Sequence, residues 1–275
     1  MNRHPTAIIH PDAELAGDVR VGPYVCIEGP AKIGAGCVIQ PHAILTGSVR
    51  IGKNNIVGYG AVIGADPQDL SFRPETRSEV CIGDNNRIRE YCTIHRGSKE
   101  GSATRLGNGN FLMAGAHLGH NVSIGNNVVI ANNVLLGGHV EVQDQSFLGG
   151  GAVFHQFVRV GRMAITQGNS AFSKDIPPFM VGARVNFVAG LNVIGMRRAG
   201  FGPKLRGEIK EAFKLVYKSG LNKTQALENA RERKWSEECA AFFDFIEAAK
   251  KRGICDLLEA GRFRRYLAVD EADEQ

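Results

Sequence analysis

The 275-residue sequence has few aromatic side chains, which make up 7% of it, and only one tryptophan. A globular core built around large rings is therefore disfavoured. Glycine, in contrast, occurs 34 times, and glycine is the residue that tight backbone corners most often require. The composition favours a fold made of many repeated corners over a globular α/β core.

Long apolar runs are also missing. No stretch approaches the roughly 20 apolar residues of a membrane span, and residues 1–10 lack the apolar segment of a secretory signal. The cysteines form no CxxC pair and no zinc-ligand spacing, so we expect reduced, buried thiols. They are Cys26, Cys37, Cys81, Cys92, Cys239 and Cys255. These absences predict a soluble, cytoplasmic protein.

The net charge of +5 is too small to indicate nucleic-acid binding by itself. Residues 200–266 hold 15 Lys and Arg against 10 Asp and Glu, so this segment alone carries a charge of +5. Within it a basic residue recurs at every fourth position: Arg206, Lys210, Lys214 and Lys218. Such a stripe is typical of a solvated helix face, and it would also attract an acidic partner protein.

An aliphatic or aromatic residue falls at every sixth position over two long stretches. The first consists of Ile9, Leu15, Val21, Ile27, Ile33, Ile39, Leu45, Ile51, Val57 and Ile63. The second consists of Leu106, Leu112, Leu118, Ile124, Ile130, Leu136, Val142, Leu148, Phe154 and Val160. A period of six matches neither the 3.6-residue helix nor a long alternating strand. It predicts a solenoid of parallel strands that turns a corner every six residues and completes a three-sided coil every ~18.

The register is interrupted at residues 65–80 and 95–105, which we expect to loop out of the solenoid. Asp175–Pro178 should close it, since proline cannot pair within a ladder. The sequence therefore predicts a parallel β-solenoid over residues 1–190 and a C-terminal α-helical domain over 191–275.

From Pro203 onward the apolar spacing becomes helical. The first expected helix starts at Pro203 and ends before Gly220. The others run onward from Thr224, from Ser236 to about Arg252, and from Asp256 to Tyr266.

Four of the eight histidines lie in the second repetitive stretch: His117, His120, His139 and His155. A coil of ~18 residues would stack His120, Gly138 and Gln156 in one outward column. Histidine is the commonest general base, and a glycine one coil away offers a bare backbone N–H to an oxyanion. This combination fits acyl transfer to a hydroxyl without a covalent intermediate, since no serine or cysteine elbow motif is present.

Two other interpretations of the histidines remain open. His117, His120 and His139 could bind zinc, which would favour hydration or hydrolysis, as in a carbonic-anhydrase-like trimer. The histidines could also be structural or solvated, in a scaffold without catalytic activity.

Three-sided prisms pack naturally about a threefold axis, so histidines at an outer corner would lie in a cleft between neighbouring chains.

Several short segments follow the order found in one enzyme family. They are Pro67–Leu70, Ile88–Glu90, Thr93–Gly97, Ala116–His120, Ala131–Asn133, Gly138–Val140, His155–Phe157, Asp175–Pro178 and Gly190–Asn192, followed by Arg197 and Arg198. The six-residue period alone is shared by many transferases. The Gln68-Asp69-Leu70 loop, the paired histidines and His155–Phe157 are specific in combination. By these segments the sequence resembles the acyl-carrier-protein-dependent UDP-N-acetylglucosamine O-acyltransferases of lipid A biosynthesis.

The resemblance implies a left-handed parallel β-helix and a homotrimer with its sites between subunits. It implies transfer of a 3-hydroxyacyl chain from acyl carrier protein to the 3-position of UDP-N-acetylglucosamine, with neither a cofactor nor a metal. His120 would deprotonate the sugar hydroxyl, and the Gly138 N–H would hold the oxyanion. The residues implied in substrate binding are Asp69, His117, His139, His155, Gln156, Gly168, Asn192 and Arg198. Gly168 would set the acyl-chain length, and Asn192 and Arg198 would hold the nucleotide.

Three positions depart from the family pattern. Asn121 follows the base where aspartate is common, Ser71 replaces a common lysine, and Ile194 stands where a carboxylate often lies. They leave open whether the acceptor sugar carries a 3-hydroxyl or a 3-amino group. A separate alternative is the N-acylating hexapeptide enzyme of the same pathway. That relative normally carries an additional N-terminal domain, for which a repeat that starts at Ile9 leaves no room.

Overall fold

In the computed structural model, which describes residues 2–249 and 252–258, the chain winds as a left-handed parallel β-helix followed by α-helices. Successive strands belong in turn to three sheets, named sheets I, II and III. Strands one coil apart pair in parallel. In most coils without a loop the paired residues are 18 apart, as for His117 with Leu135 and Leu135 with Val153, and the spacing shortens to 16 at the C-terminal end, where Ile165 pairs with Val181. The fold class expected from the sequence is confirmed.

The strands are short, and most contain two residues. Sheet I contains Asn2–Arg3, Arg20–Val21, Val38–Ile39, Ile56–Val57, Arg87–Ile88, Phe111–Leu112, Val129–Ile130, Phe147–Leu148, Ile165–Thr166, Met180–Ala183, Phe187–Leu191 and Asp256–Leu257. Sheet II contains Ile8–Ile9, Cys26–Ile27, Ile44–Leu45, Val62–Ala65, Thr93–His95, His117–Leu118, Leu135–Leu136, Val153–Phe154 and Ala171–Phe172. Sheet III contains Glu14–Leu15, Ala31–Ile33, Ser48–Ile51, Glu79–Ile82, Ala103–Leu106, Ser123–Ile124, Glu141–Val142 and Arg159–Val160.

The residues of the six-residue register form the core of the prism. Leu112, Leu118 and Ile130 are fully buried, and each stacks on its equivalent one coil away. The preceding residue of each strand points outward, so one coil buries its apolar side chains only against its neighbours. Many corners contain a residue in the left-handed backbone region. Asn121 and Asn133, with φ of 61° and 56°, tolerate it because asparagine is short and polar.

Both interruptions of the register leave the prism from the same corner, the one between sheets II and III. The first loop, residues 66–78, connects Val62–Ala65 to Glu79–Ile82. The second loop, residues 96–102, connects Thr93–His95 to Ala103–Leu106 one coil later. The following coil carries His120 at this corner, between His117–Leu118 and Ser123–Ile124. The two loops therefore lie next to the histidine cluster.

At its C-terminal end the β-helix is closed by an ion pair and a strand reversal. The buried Asp175 accepts hydrogen bonds from the Arg159 guanidinium at 2.7 and 2.9 Å. Phe187–Leu191 then pairs antiparallel with Met180–Ala183. The helices that follow are α1 (Val193–Arg198), α2 (Pro203–Tyr217), α3 (Lys223–Ala230) and α4 (Glu237–Glu247).

The prediction of a helix over Asp256–Tyr266 is wrong at its start. Asp256 and Leu257 form a strand beside Phe187 and Val188, and residues 259–266 lie outside the described residues. The Asp256 N–H donates to the Asn186 carbonyl oxygen and the Leu258 N–H to that of Val188, a non-local pairing that a local apolar pattern does not reveal. Helix α4 also ends at Glu247, earlier than the expected Arg252.

Candidate active site

The corner between sheets II and III brings together most of the residues that sequence analysis selected. Its turns, residues 119–122, 137–140 and 155–158, lie on successive coils, so that His120, Gly138 and Gln156 form one column. A Cβ atom on Gly138 would lie 2.5 Å from both Cε1 and Nε2 of His120. The imidazole therefore lies over the glycine backbone. It occupies space that the side chain of any other residue at position 138 would fill.

His139 occupies the next column and joins two aromatic contacts. Its ring meets the His120 ring edge to face, with centroids 5.1 Å apart, and it stacks on Phe157 at 4.6 Å. Partial burial, and to a lesser extent the neighbouring His120, lower the pKa of His139 below its ordinary value. His139 is therefore mostly neutral at pH 7. Phe157 has no role predicted from the sequence, although it belongs to the His155–Phe157 segment on which the family resemblance depends.

His117 points outward from sheet II, beside the corner. Its Nδ1 lies 2.8 Å from the Thr93 hydroxyl, and its ring meets the His95 ring at a centroid distance of 5.0 Å. Burial, followed by the nearby His95, lowers the pKa of His117. His95 Nδ1 lies 2.6 Å from the Asp66 carbonyl oxygen, so His95 connects His117 to the first loop.

The first loop carries Asp69 to the same corner. Its carboxylate accepts hydrogen bonds from the backbone N–H and the hydroxyl of Ser71, at 2.9 and 2.8 Å. These bonds lower the pKa of Asp69, with a small further contribution from His120. Ser71, where the family commonly has lysine, thus fixes the aspartate in place and supplies no positive charge.

Arg96 anchors this loop, a role that the sequence did not reveal. The side chain is 8% exposed, and it donates hydrogen bonds to the Asp66 carboxylate and to the carbonyl oxygens of Pro74 and Thr76. Its guanidinium also lies 4.9 Å from the centroid of the Phe72 ring. A buried guanidinium with several acceptors from one segment holds that segment in a single conformation.

His155 and Gln156 lie at the far end of the column, and both are exposed. Nη1 of Arg252 lies 2.8 Å from His155 Nδ1, which brings the chain after α4 back to the site. This contact was not expected, because Arg252 was assigned to a helix end.

The other three selected residues lie at different corners of the same chain. Gly168 follows Ile165–Thr166 and precedes Ala171–Phe172, which places it between sheets I and II. Asn192 donates to the Met163 carbonyl oxygen at 2.9 Å, between sheets III and I, and its side-chain oxygen caps α1 at Gly195. The exposed Arg198 ends that helix. Within one chain these residues do not join the His120 column.

The geometry does not support a three-histidine zinc site. Among residues 2–249 and 252–258, no group of three His, Cys, Asp or Glu side chains is arranged to hold a metal ion. His117 and His120 direct Nδ1 to Thr93 and Asn121, and His139 stacks on Phe157. In the same part of the chain, no helix is long and apolar enough to cross a membrane.

Comparisons with known proteins agree with this geometry. Residues 175–255 match the family model described as UDP N-acetylglucosamine O-acyltransferase, domain 2, and residues 30–65 and 103–138 match the bacterial transferase hexapeptide model. The acyl-[acyl-carrier-protein]–UDP-N-acetylglucosamine O-acyltransferase of Janthinobacterium sp. (strain Marseille) is 43% identical over 91% of this chain and 98% of its own. The enzyme of that name from Myxococcus xanthus (strain DK1622) is 39% identical over 90% and 97%.

Solved structures agree as well. The UDP-N-acetylglucosamine acyltransferase of Bacteroides fragilis superposes with a TM-score of 0.87 at 39% identity, over 91% of this chain and 98% of that one. The enzyme of Francisella novicida superposes with a TM-score of 0.88 at 34% identity, over 94% and 95%.

Proposed function

This chain belongs to the acyl-[acyl-carrier-protein]–UDP-N-acetylglucosamine O-acyltransferases, and we propose that it catalyses the first step of lipid A biosynthesis. The reaction transfers a 3-hydroxyacyl chain from acyl carrier protein to the 3-hydroxyl of UDP-N-acetylglucosamine. The observation that carries the proposal is the His120 imidazole lying directly over the Gly138 backbone. We place the reaction in the cytoplasm and propose that it uses no cofactor.

His120 acts as the general base through Nε2, the ring nitrogen nearest Gly138. It takes the proton of the sugar hydroxyl while the oxygen attacks the thioester carbonyl carbon. The tetrahedral intermediate then collapses, the carbon–sulfur bond breaks, and His120 gives its proton to the departing sulfur, so that the carrier leaves as a thiol and the imidazole is neutral again. No hydrogen bond joins the Gly138 N–H to another residue of the described chain, so this donor is free to stabilise the oxyanion.

Substrate binding uses the remaining residues of the corner. His117 and His139, with lowered pKa values, serve as neutral hydrogen-bonding groups for the sugar and the acyl chain. Asp69, His155 and Gln156 complete this group. The carboxylate of Asp69 accepts from sugar hydroxyls, and Ser71 keeps it oriented. Asn192 and Arg198 hold the nucleotide, since a guanidinium matches the geometry of phosphate oxygens.

The functional unit is a homotrimer. Outward positions on sheets I and II are mainly apolar: Val38, Ile56, Phe111, Val129, Phe147 and Ile165 on sheet I, and Ile8, Ile44, Val62, Leu135 and Val153 on sheet II. Those on sheet III are mainly charged: Glu14, Lys32, Arg50, Arg105, Glu141 and Arg159. Two apolar faces and one charged face suit three prisms packed about an axis. The corner of Arg198 then meets the His120 corner of a neighbouring chain.

The acyl chain lies along the outer face of sheet II. Leu135, Val153 and Ala171 are adjacent there, and Leu135 is 46% exposed and Val153 38%. This apolar floor connects the His120 corner to the corner that carries Gly168. Because Gly168 has no side chain, the far end of the floor stays open to a long chain.

The substrate assignment is tested by measuring acyl transfer from 3-hydroxyacyl carrier proteins of several chain lengths. We expect product with UDP-N-acetylglucosamine at a rate that a chelator leaves unchanged, and little product with the 3-amino analogue. Transfer only to the amino sugar would make the chain an N-acyltransferase. A rate that falls with the chelator and returns with zinc would instead favour metal chemistry.

Acyl carrier protein docks on the basic stripe of α2. A concavity of about 380 Å³ there is lined by Leu191, Met196 and Phe213 and by basic side chains that include Lys210 and Lys214. An apolar floor among cations suits the acidic surface of a carrier protein.

Reversal of charge at Lys210 and Lys214 to glutamate should raise the KM for the acyl carrier protein several-fold at low salt. The kcat should stay unchanged, and the effect should fade at high salt because salt screens charge attraction. Replacement of Lys32 and Lys53 by glutamate changes the net charge equally and serves as the control, because both residues lie in the N-terminal part of the β-helix and not on α2. An equal rise in the control, or no rise in the α2 variant, would remove the stripe as the docking face.

A further inference from the structure

The second loop, residues 96–102, is connected to the proposed base through Asn121. Ser98 donates two hydrogen bonds to the side-chain oxygen of Asn121, from its backbone N–H at 3.0 Å and from its hydroxyl at 2.9 Å. The same Asn121 oxygen lies 3.0 Å from Nδ1 of His120. The backbone N–H of Asn121 in turn donates to the Thr104 hydroxyl oxygen at 2.8 Å.

These contacts determine which nitrogen of His120 carries the hydrogen. A backbone N–H can only donate, so the Asn121 atom that faces Ser98 is the amide oxygen and not the NH₂ group. An amide oxygen can only accept, so His120 Nδ1 must be the donor in the third contact. The neutral ring then has its lone pair on Nε2, the atom beside Gly138.

We propose that Ser98 and Asn121 are positioning residues that hold His120 in the tautomer required for proton abstraction. The proposal rests on the proposed function of His120 as the base. An asparagine can turn its amide by half a rotation, and its NH₂ group would then face Nδ1 and stabilise the unproductive tautomer. Ser98 prevents this rotation. The second loop thereby keeps an acceptor oxygen of Asn121 facing Nδ1, whereas a carboxylate would present an acceptor oxygen in either orientation.

The tautomer can be observed directly by ¹⁵N magnetic resonance of the full-length protein labelled with ¹⁵N-histidine. His120 is assigned by the loss of its signals in His120→Gln. We expect the neutral ring to show a protonated Nδ1 and an unprotonated Nε2. A wild-type spectrum with the hydrogen on Nε2 would overturn the proposal without any variant.

Variants connect the tautomer to the rate. Asn121→Ala should give a mixture of tautomers and lower kcat about tenfold, roughly the effect of one hydrogen bond, with both KM values unchanged. Asn121→Asp should keep the Nδ1–H tautomer and most of the activity, because a carboxylate presents two equivalent acceptors. Ser98→Ala keeps the backbone donor and should have a smaller effect in the same direction.

Two different outcomes separate the positioning role of Asn121 from the assignment of His120 as the base. If His120→Ala is inactive while Asn121→Ala keeps the wild-type tautomer and kcat, the positioning role is overturned and His120 remains the base. If His120→Ala retains its activity, the base is wrongly assigned, whatever the tautomer of the ring.

Discussion

Replacement of His120 by alanine is expected to lower kcat by about three powers of ten, within the range of ~10²–10⁴ typical of a general base. The KM values should change little, since in the proposed mechanism the ring contacts the reacting hydroxyl and not the nucleotide or the carrier. The fold should persist, because the side chain is only partly buried at an outer corner while the stacked core beneath it is untouched. Steady-state rates at saturating concentrations of both substrates, together with thermal unfolding, measure these effects.

His10→Ala is the matched control for this variant. His10 also lies at a corner between sheets II and III, but at the first coil, far from the two loops. Its replacement should leave kcat unchanged. An His120→Ala enzyme with near wild-type kcat would require another base, and His139, edge to face with His120, would be the next residue to replace.

If the chain forms the proposed homotrimer, mixed trimers of two impaired variants are expected to regain activity. In the proposed mechanism, His120→Ala removes the base at one corner, and Arg198→Ala weakens nucleotide binding at another corner of the same chain. If each site takes His120 from one chain and Arg198 from its neighbour, random assembly of equal amounts leaves about one quarter of the sites intact. Rates are measured with the sugar nucleotide well below its KM, so that the binding defect reduces the rate in full.

Mixing His120→Ala with wild-type chains calibrates the experiment, because about half of the sites should then keep their base. Mixtures of the two variants that stay as slow as either variant alone would mean that His120 and Arg198 act within one chain. The proposed location of the site between subunits would then be wrong.

The core of the fold followed from the sequence because it depends on a local rule. A six-residue register with no skipped position, such as Leu106 to Val160, requires a turn after each short strand and stacking of the coils. The same arithmetic gave the column of His120, Gly138 and Gln156. The same count places Gly168 at a different corner from His120, because the two residues are 48 apart and 48 is not a multiple of 18.

The contacts of the two loops did not follow from the sequence, because the loops lie outside the register. Nothing in the spacing indicates that Arg96 holds the first loop or that Ser98 reaches Asn121. Two departures from the family pattern, at Ser71 and Asn121, are the clearest examples. Each is a hydrogen-bonding residue whose partner, Asp69 or Ser98, is evident only from side-chain geometry.

The C-terminal part was predictable only in outline. The apolar spacing of α2 gave its position, with Pro203 as its first residue. The strand at Asp256 and Leu257 depends on a partner about 70 residues earlier in the chain, and the register of the β-helix does not extend to it. Helix α4 ended early for a similar reason, since the segment beyond it returns to Asp175 through hydrogen bonds of Gly253 and Cys255.

A crystal structure of the protein with UDP-N-acetylglucosamine is the most direct test of where the chemistry occurs. We expect the sugar 3-hydroxyl within hydrogen-bonding distance of His120 Nε2, and the diphosphate against Arg198 of the adjacent chain. A sugar nucleotide bound away from the corner between sheets II and III, or a metal ion coordinated by His117, His120 and His139, would contradict the account.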